Sequence, residues 1–383
     1  MNILFYPSWY QTNQKHNNGI FFRDQAEAIA RNCGHNVVFL ITNLQWLKGK
    51  IGVPRFSIQE RQENGLVIWE FSLILPAVFN RVRIQERLTL EMLRLAIVKM
   101  KWRYGNIDLI HAQSFLKAGY DACRLCQKYQ IPVVTTEHLS SVANGLAPRA
   151  KEKFLYTIQK SKKIISVSRF LDSIISTFLS DQNRRVVVPN LVNREFVYDS
   201  QVSKNNVFTF LSVGHLIAGK RIDVLIDGFV NSFSAEEKVQ LLIVGDGLQR
   251  KVLENRVQDL GRMHQIKFLG ALTHLEVYEQ MQKAHMFVHT SRLETFGVVI
   301  IEALASGLPV ICTRCGGPED ILTNYGCIPI GVDNITELVA ALKYAQVEYK
   351  NYDLFKISRE AIDRFGEGIV TNQINEVYKS VVE

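Results

Sequence analysis

Along the first half of the chain, short apolar runs alternate with longer segments whose apolar residues recur every three or four positions. Ile3–Tyr6, Val37–Ile41, Ile107–Ala112, Val133–Thr136, Lys163–Ser168 and Val186–Val188 have the length and composition of buried strands. Segments of helical spacing, beginning with Phe22–Arg31, separate most of them. That order predicts a parallel sheet with helices on its faces. Lys48–Phe71 departs from the alternation and fits a hairpin or an irregular insertion. The second half repeats the style. Val207–Val213, Leu241–Val244, Ile266–Phe268, Met286–Thr290 and Leu308–Cys312 are predicted strands. Asp223–Phe233, Leu248–Leu260, Leu275–Lys283 and Val298–Ser306 are predicted helices. The halves share no sequence repeat, only an architecture. Two similar α/β units joined near Pro189-Asn190 would leave a cleft between them, and ligands of such sheets bind beyond the carboxyl ends of the strands.

The 383 residues suffice for two domains of ~150 residues each. A composition of 47% hydrophobic and 21% charged residues is that of a soluble globular protein. No run approaches the ~18 uncharged apolar residues of a spanning helix. The opening Met1-Asn2-Ile3-Leu4-Phe5-Tyr6 lacks the basic region and small-residue cleavage site of a signal peptide, so a cytoplasmic location is expected. Six cysteines do not make a disulfide framework. Cys123-x-x-Cys126 and Cys312-x-x-Cys315 are spaced like halves of a zinc site, but the first pair lies in a predicted helix and the second far away in a loop. They are read as small buried or loop thiols, and no metal is expected.

Charge is uneven. Residues 1–190 carry a net +13 and residues 191–383 a net −5. The first half should therefore meet something anionic: nucleic acid, a phospholipid surface or a phosphorylated substrate. The basic residues form no single tract with interleaved aromatics, and nucleic acid is not expected as a partner. Residues 81–103 form a predicted helix with seven basic and two acidic residues. Its basic face is either solvated or rests on anionic lipid.

The densest chemistry lies in Ser291–Ile311, SRLETFGVVIIEALASGLPVI. Glu302 sits inside an apolar helical run, where an unpaired carboxylate is costly. Gly297 would let an anion approach the first-turn amides of that helix. Glu302 faces the cleft if Glu294 does; a carboxylate there suits a vicinal diol such as ribose, and Glu294, at the mouth, suits sugar hydroxyls. The alternative is two solvent-facing glutamates, which the apolar neighbours Val299, Ile300, Ile301, Ala303 and Leu304 oppose. In FLSVGHLIAGKRIDVLI a strand ends at Val213-Gly214, and Lys220 stands at the start of a helix, so an ammonium and free N–H groups surround one anion-sized space. Gly245-x-Gly247 follows a strand, but Arg250 replaces the third glycine of a dinucleotide fingerprint, so the pair is read as a tight turn.

Glu-x7-Glu with Phe-Gly after the first Glu, then ALASGLPVI and Gly316-Gly317, resembles the retaining glycosyltransferases of family 4, which have the GT-B fold. PSWY, NGIFFRDQAEAIARNCGHNVVFL, IDLIHAQ, TTEHLSSV, VSRFL, VVVPNLVN, SVGHLIAGKRIDVLIDGF, LLIVGDGLQRKVLE and FLGALTHLEVYEQM follow in that family's order. The resemblance implies two Rossmann-like domains facing each other across a deep cleft. Residues 1–193, with a returning C-terminal helix at 366–383, would form the acceptor side and residues 194–365 the nucleotide-sugar side. Glu302 would hold the ribose and Glu294 the donor sugar. The amides of Phe296, Gly297 and Val298, with Lys220, Arg221 and the Gly214 backbone, would hold the diphosphate. Gly19 would let the first loop approach it, Leu269 would line the base pocket, and His138 would sit under the sugar beside the reacting carbon. His138, Glu294 and Lys220 would thus carry the chemistry. His215 stands where many members have an arginine. The implied activity is transfer, without cofactor or metal, of a sugar from a nucleotide-diphosphate-sugar to a glycan or lipid-linked acceptor, with retained configuration, as in bacterial-type surface polysaccharide or glycolipid synthesis. Contact with the inner face of an anionic membrane fits the basic N-terminal half. An epimerase or phosphorylase on the same fold, or a non-catalytic sugar-nucleotide-binding protein, are the rival readings.

Overall fold

A computed structural model describes residues 1–10, 19–47, 53–76, 81–323 and 325–383. Lys48, where the irregular stretch read from sequence begins, lies outside the described residues. The first sheet contains β1 (Asn2–Pro7), β2 (Asn36–Leu47), β3 (Arg55–Glu63), β4 (Leu66–Pro76), β5 (Leu109–Gln113), β6 (Val133–Glu137), β7 (Lys163–Ser166) and β8 (Arg185–Val187). Their order is β3-β4-β2-β1-β5-β6-β7-β8, parallel throughout except where β3 runs antiparallel to β4. The irregular stretch is thus a hairpin. Its two-residue turn is Asn64-Gly65, with φ of 49° and 84°, the chemistry a tight hairpin favours.

The second sheet contains β9 (Phe208–Val213), β10 (Val239–Val244), β11 (Ile266–Gly270), β12 (Met286–His289), β13 (Val310–Thr313) and β14 (Cys327–Ile330), all parallel, in the order β11-β10-β9-β12-β13-β14. The strand at 327–330 extends the five read from sequence.

Helices cover both sheets. The first domain carries α1 (Ile20–Cys33), α2 (Val82–Tyr104), α3 (Tyr120–Tyr129), α4 (Ser141–Asn144), α5 (Pro148–Lys160) and α6 (Arg169–Ser176). The second carries α7 (Ile222–Ser232), α8 (Arg250–Asp259), α9 (His274–Lys283), α10 (Val298–Ala305), α11 (Ile335–Glu348) and α12 (Leu354–Phe365). Last comes α13 (Glu367–Val382), which returns to the first domain. Its Val370, Ile374, Val377 and Tyr378 join Phe22, Ala26 and Ile29 of α1 in one buried cluster. At the edge, the His35 ring lies 2.7 Å from Asn375 Oδ1, and Arg31 pairs with Glu367.

The domains meet through packed loops. Ser168 Oγ donates to the Thr295 carbonyl at 2.6 Å, and Thr295 Oγ1 donates to the His138 carbonyl at 2.7 Å. One apolar cluster runs across the junction, from Phe115, Phe154 and Leu171 to Phe296, Ile300 and Phe365. Such an interface fixes how the two carboxyl ends face each other.

Candidate active site

A cavity of about 910 Å³ lies where the loops beyond the two sheets converge. The turn after β12 carries Glu294 into it. Glu294 is clamped at the main chain: its N–H donates to the Cys315 carbonyl at 3.0 Å, and its carbonyl accepts from Gly317 at 2.8 Å. Its Oε1 accepts from Lys220 Nζ and from Ser291 Oγ at 2.9 Å, and lies 3.2 Å from His289 Nε2. Burial alone would raise this carboxyl, but the Lys220 charge and the His289 contact outweigh it and hold Glu294 well below the usual carboxylate range.

Helix α10 starts one turn later. Gly297, its N-cap, has φ 105°, where a side chain is strained, and an added Cβ would sit 2.7 Å from Ile300 Cδ1. Phe296, Gly297 and Val298 line the cavity, and first-turn N–H groups have no acceptor within a helix. The end of α10 that points at the cavity is thus its positive end.

The partner of Glu302 is His274. Glu302 Oε1 lies 3.0 Å from His274 Nε2, among the buried Ile300, Ile301, Ala303 and Leu304. His274 is the first residue of α9, which a capping box between Thr273 and Glu276 starts at that point. Burial lowers the His274 pKa, but Glu302, Asp24 and Glu195 raise it above its ordinary value overall. Asp24, on α1 of the other domain, is buried with Oδ1 unpartnered; burial raises it to about 6 against the pull of His274.

His138 follows β6. Its main-chain N–H and that of Leu139 donate to Glu137 Oε1 at 2.8 and 2.7 Å, and Phe115 N–H donates to Glu137 Oε2 at 3.0 Å. Glu137 thereby holds the loop, though burial pushes its own carboxyl up to about 7. The His138 ring packs against Phe21 and Phe22, at centroid distances of 5.2 and 5.1 Å, and burial lowers its pKa to about 3. A neutral imidazole faces the cavity.

The glycine pair after β10 also has a structural reason. A Cβ on Gly245 would fall 1.9 Å from the Gly214 carbonyl oxygen, and one on Gly247 would fall 2.5 Å from that of Leu216. The two strand-end loops touch there, main chain to main chain, and only glycine fits.

Of the residues singled out from sequence, His138, Gly214, His215, Lys220, Glu294, Phe296, Gly297, Val298 and Glu302 line the cavity. Gly19 is the N-cap of α1, next to Ile20 and Phe21, which do. Two expectations are corrected. Arg221 is not in the lining: it pairs with Asp333 at 2.6 Å and Asp223 at 2.9 Å. Leu269 is not in the lining; the pairing of β10 with β11 skips it, Ile243 facing Phe268 and Val244 facing Gly270, and Ala271 and Leu272 form the wall instead. His274, Glu137, Ser291 and His289 were not singled out. Thr-x-x-Glu at 273–276 was the legible signal for His274, since a capping box fixes where a helix begins. Among the described residues no group of three or more His, Cys, Asp or Glu converges as a metal site, and none of the described helices is long and apolar enough to cross a membrane.

A model of the glycosyltransferase family 4 domain matches residues 20–196, and a model of glycosyl transferases group 1 matches residues 193–353. An uncharacterized glycosyltransferase of Methanocaldococcus jannaschii is 32% identical over 57% of this chain and 59% of its own length. The alpha-monoglucosyldiacylglycerol synthase of Acholeplasma laidlawii is 25% identical over 55% of this chain and 60% of its own. The matched stretch thus spans about three-fifths of these two relatives. In three dimensions the chain resembles HepE of Anabaena solved with UDP-glucose, with a TM-score of 0.71 at 17% identity, covering 99% of this chain and 100% of that one. Two family models that abut near residue 193 and a shared two-domain architecture converge: the chain belongs to the family 4 and group 1 glycosyltransferases of the GT-B fold.

Proposed function

We propose that the chain moves a sugar from a nucleoside-diphosphate sugar to an acceptor held by the first domain. Residues 1–193 with 366–383 form the acceptor side, and residues 194–365 the donor side. One observation carries this reading: Lys220, Glu294, the positive end of α10 and Glu302 line one cavity, with Lys220 in contact with Glu294. Together these groups suit the hydroxyls of a sugar, the charge of a diphosphate and the diol of a ribose. The donor would split the Lys220–Glu294 pair, giving phosphate to the ammonium and hydroxyls to the carboxylate. Glu302 would exchange some of its bond with His274 for the ribose diol.

The leaving group is a diphosphate anion. Positive charge and aimed N–H dipoles stabilise its departure more than a proton donor does. The wall supplies those, while Glu294 is paired with Lys220 and Glu302 with His274 rather than standing as the acid and base of a glycosidase. A donor phosphate oxygen then takes the acceptor proton on the same face as departure, so the anomeric configuration is retained. Lys220 and the positive end of α10 would supply the positive charge that a metal otherwise brings, and activity should persist in excess EDTA. Metal-dependent activity would count against this part.

The acceptor is proposed to be lipid-linked or to carry phosphate. A relative bears the name of a glucosyl-diacylglycerol synthase, and the N-terminal half carries +13. The outer stripe of α2 presents Arg87, Leu95, Val98 and Trp102, the last 86% exposed. Exposed Phe56 and Ile58 lie on β3, whose Glu60 pairs with Lys99 and Arg103 of α2. Such a face fits an anionic bilayer at the cytoplasmic side.

Thermal unfolding with UDP-, GDP- and ADP-sugars is the first test. One base should raise the Tm, its diphosphate alone should suffice, and release of that diphosphate should accelerate with a lipid extract as acceptor. No shift with any base would sink the proposal. Turnover of the free nucleotide-sugar without acceptor would favour an epimerase.

A further inference from the structure

Behind His138 runs a buried hydrogen-bonded chain that ends on the C-terminal helix. Tyr378 of α13 has its hydroxyl 2.6 Å from His111 Nδ1. His111 Nε2 lies 2.7 Å from Thr136 Oγ1 and 3.2 Å from Gln113 Nε2. Gln113 Nε2 donates to Gln25 Oε1 at 2.7 Å, and Gln113 Oε1 lies 2.7 Å from His138 Nε2. Tyr378, His111 and Gln113 are each fully buried. Three parts of the chain thus meet in one line: a helix from the C-terminal end, the carboxyl end of β5, and the loop after β6.

The proton positions follow from what each atom can do. An amide oxygen only accepts, so the His138 nitrogen facing Gln113 Oε1 carries the proton. The amide nitrogen of Gln113 only donates, so His111 Nε2 is bare and its Nδ1–H points to the Tyr378 oxygen. Burial lowers His111 to about 3, with repulsion from His138 adding to it, and both rings stay neutral. His138 Nδ1 is left buried with no partner among the described residues.

We propose that Tyr378 is a positioning residue for His138: through His111 and Gln113 it fixes the His138 proton on Nε2 and leaves the Nδ1 lone pair to accept a hydrogen bond from a hydroxyl of the donor sugar. This rests on the reading that His138 stands beside that sugar. It assigns His138 an accepting rather than an acidic role, and gives the returning helix a part in the chemistry as well as in packing.

The test uses the full chain with 15N-labelled histidine. In the free protein, imidazole 15N shifts should show His138 as a single Nε2–H tautomer. In Tyr378→Phe, and in Gln113→Leu as a second break in the line, the signal should move toward a mixture of tautomers. With UDP-glucose or GDP-mannose, whichever is turned over, kcat should fall about ten-fold, the scale on which partners that orient a histidine act. Affinity for UDP or GDP alone should be unchanged, which a general loss of folding would not spare. An unaltered His138 tautomer and a rate within two-fold in both variants would overturn the relay. If His138→Ala lowers the rate while those two variants do not, only the relay fails. If His138→Ala has no effect, the sugar-side reading beneath it fails as well.

Discussion

The two walls of the cleft are built from different materials. The C-terminal wall brings Lys220, Asp246, Glu294 and Glu302 to the cavity, with His215 and His274 between them. The N-terminal wall brings Trp9, Phe21, His138, Ser140 and Asn190, none with a formal charge once His138 is neutral. Yet the half of the chain that forms this neutral wall carries the +13. Its basic residues therefore lie elsewhere, and α2 holds six of them. Charge faces the cavity on one domain and, on the other, lies away from it. The lesson is that net charge by domain says little about a site until each charge is placed.

The contrast can be broken at its strongest point first. Lys220→Ala should reduce kcat by roughly 10²–10³, the usual cost of losing one group that stabilises a departing anion. Initial rates at saturating donor measure this. An equal loss from Ser140→Ala on the neutral wall would erase the distinction. Next comes the outward charge. Neutralising Arg83, Arg87 and Arg94 together should weaken sedimentation with anionic liposomes at low salt, at ~1 kcal/mol for each residue near the surface. Arg94 should count least, because it already pairs with Glu91 at 2.6 Å. Binding that ignores salt, or equals that to neutral vesicles, would remove the membrane from the picture.

Glu302→Ala sharpens the charged side. It should weaken nucleoside diphosphate binding by roughly 2–3 kcal/mol in calorimetry, by leaving two ribose hydroxyls unpaired, while the fold survives. Unchanged affinity would mean that Glu302 serves only His274. The smallest effect concerns Asp24, the carboxylate behind the neutral wall. Burial raises its folded-state pKa from 3.8 to about 6. The ionised form therefore costs stability above about pH 6, and the cost disappears as pH falls towards 4. Asp24→Asn should raise stability by about 1–3 kcal/mol at pH 8 and by progressively less towards pH 4, as urea titrations would show. A gain independent of pH would contradict the assignment.

The parallel sheets were legible because their strands are buried on both faces and appear as unbroken apolar runs. Strand β3 was not resolved from an irregular insertion, because most of its residues are exposed and its pattern is polar. The glutamates stood out because an apolar helix must account for a carboxylate. Their partners did not. His274 lies 28 residues from Glu302 and meets it only in the folded chain, from the start of α9. Arg221 looked like a phosphate ligand because of where it stands in the chain, but Asp333, 112 residues away, decides where its side chain goes. Leu269 missed the wall because an irregular register at the end of β11 cannot be seen in a run of apolar letters.

The returning α13 also has a consequence for how the molecule is made. His35 meets Asn375 across 340 residues of sequence, and the α1 surface that Tyr378 covers is a main face of the first core. On the ribosome, the first domain emerges early but waits for the entire second domain before it can close. Contacts of such long range slow folding and leave an apolar face open in the interval. The first domain should therefore complete its folding only after the second has been made.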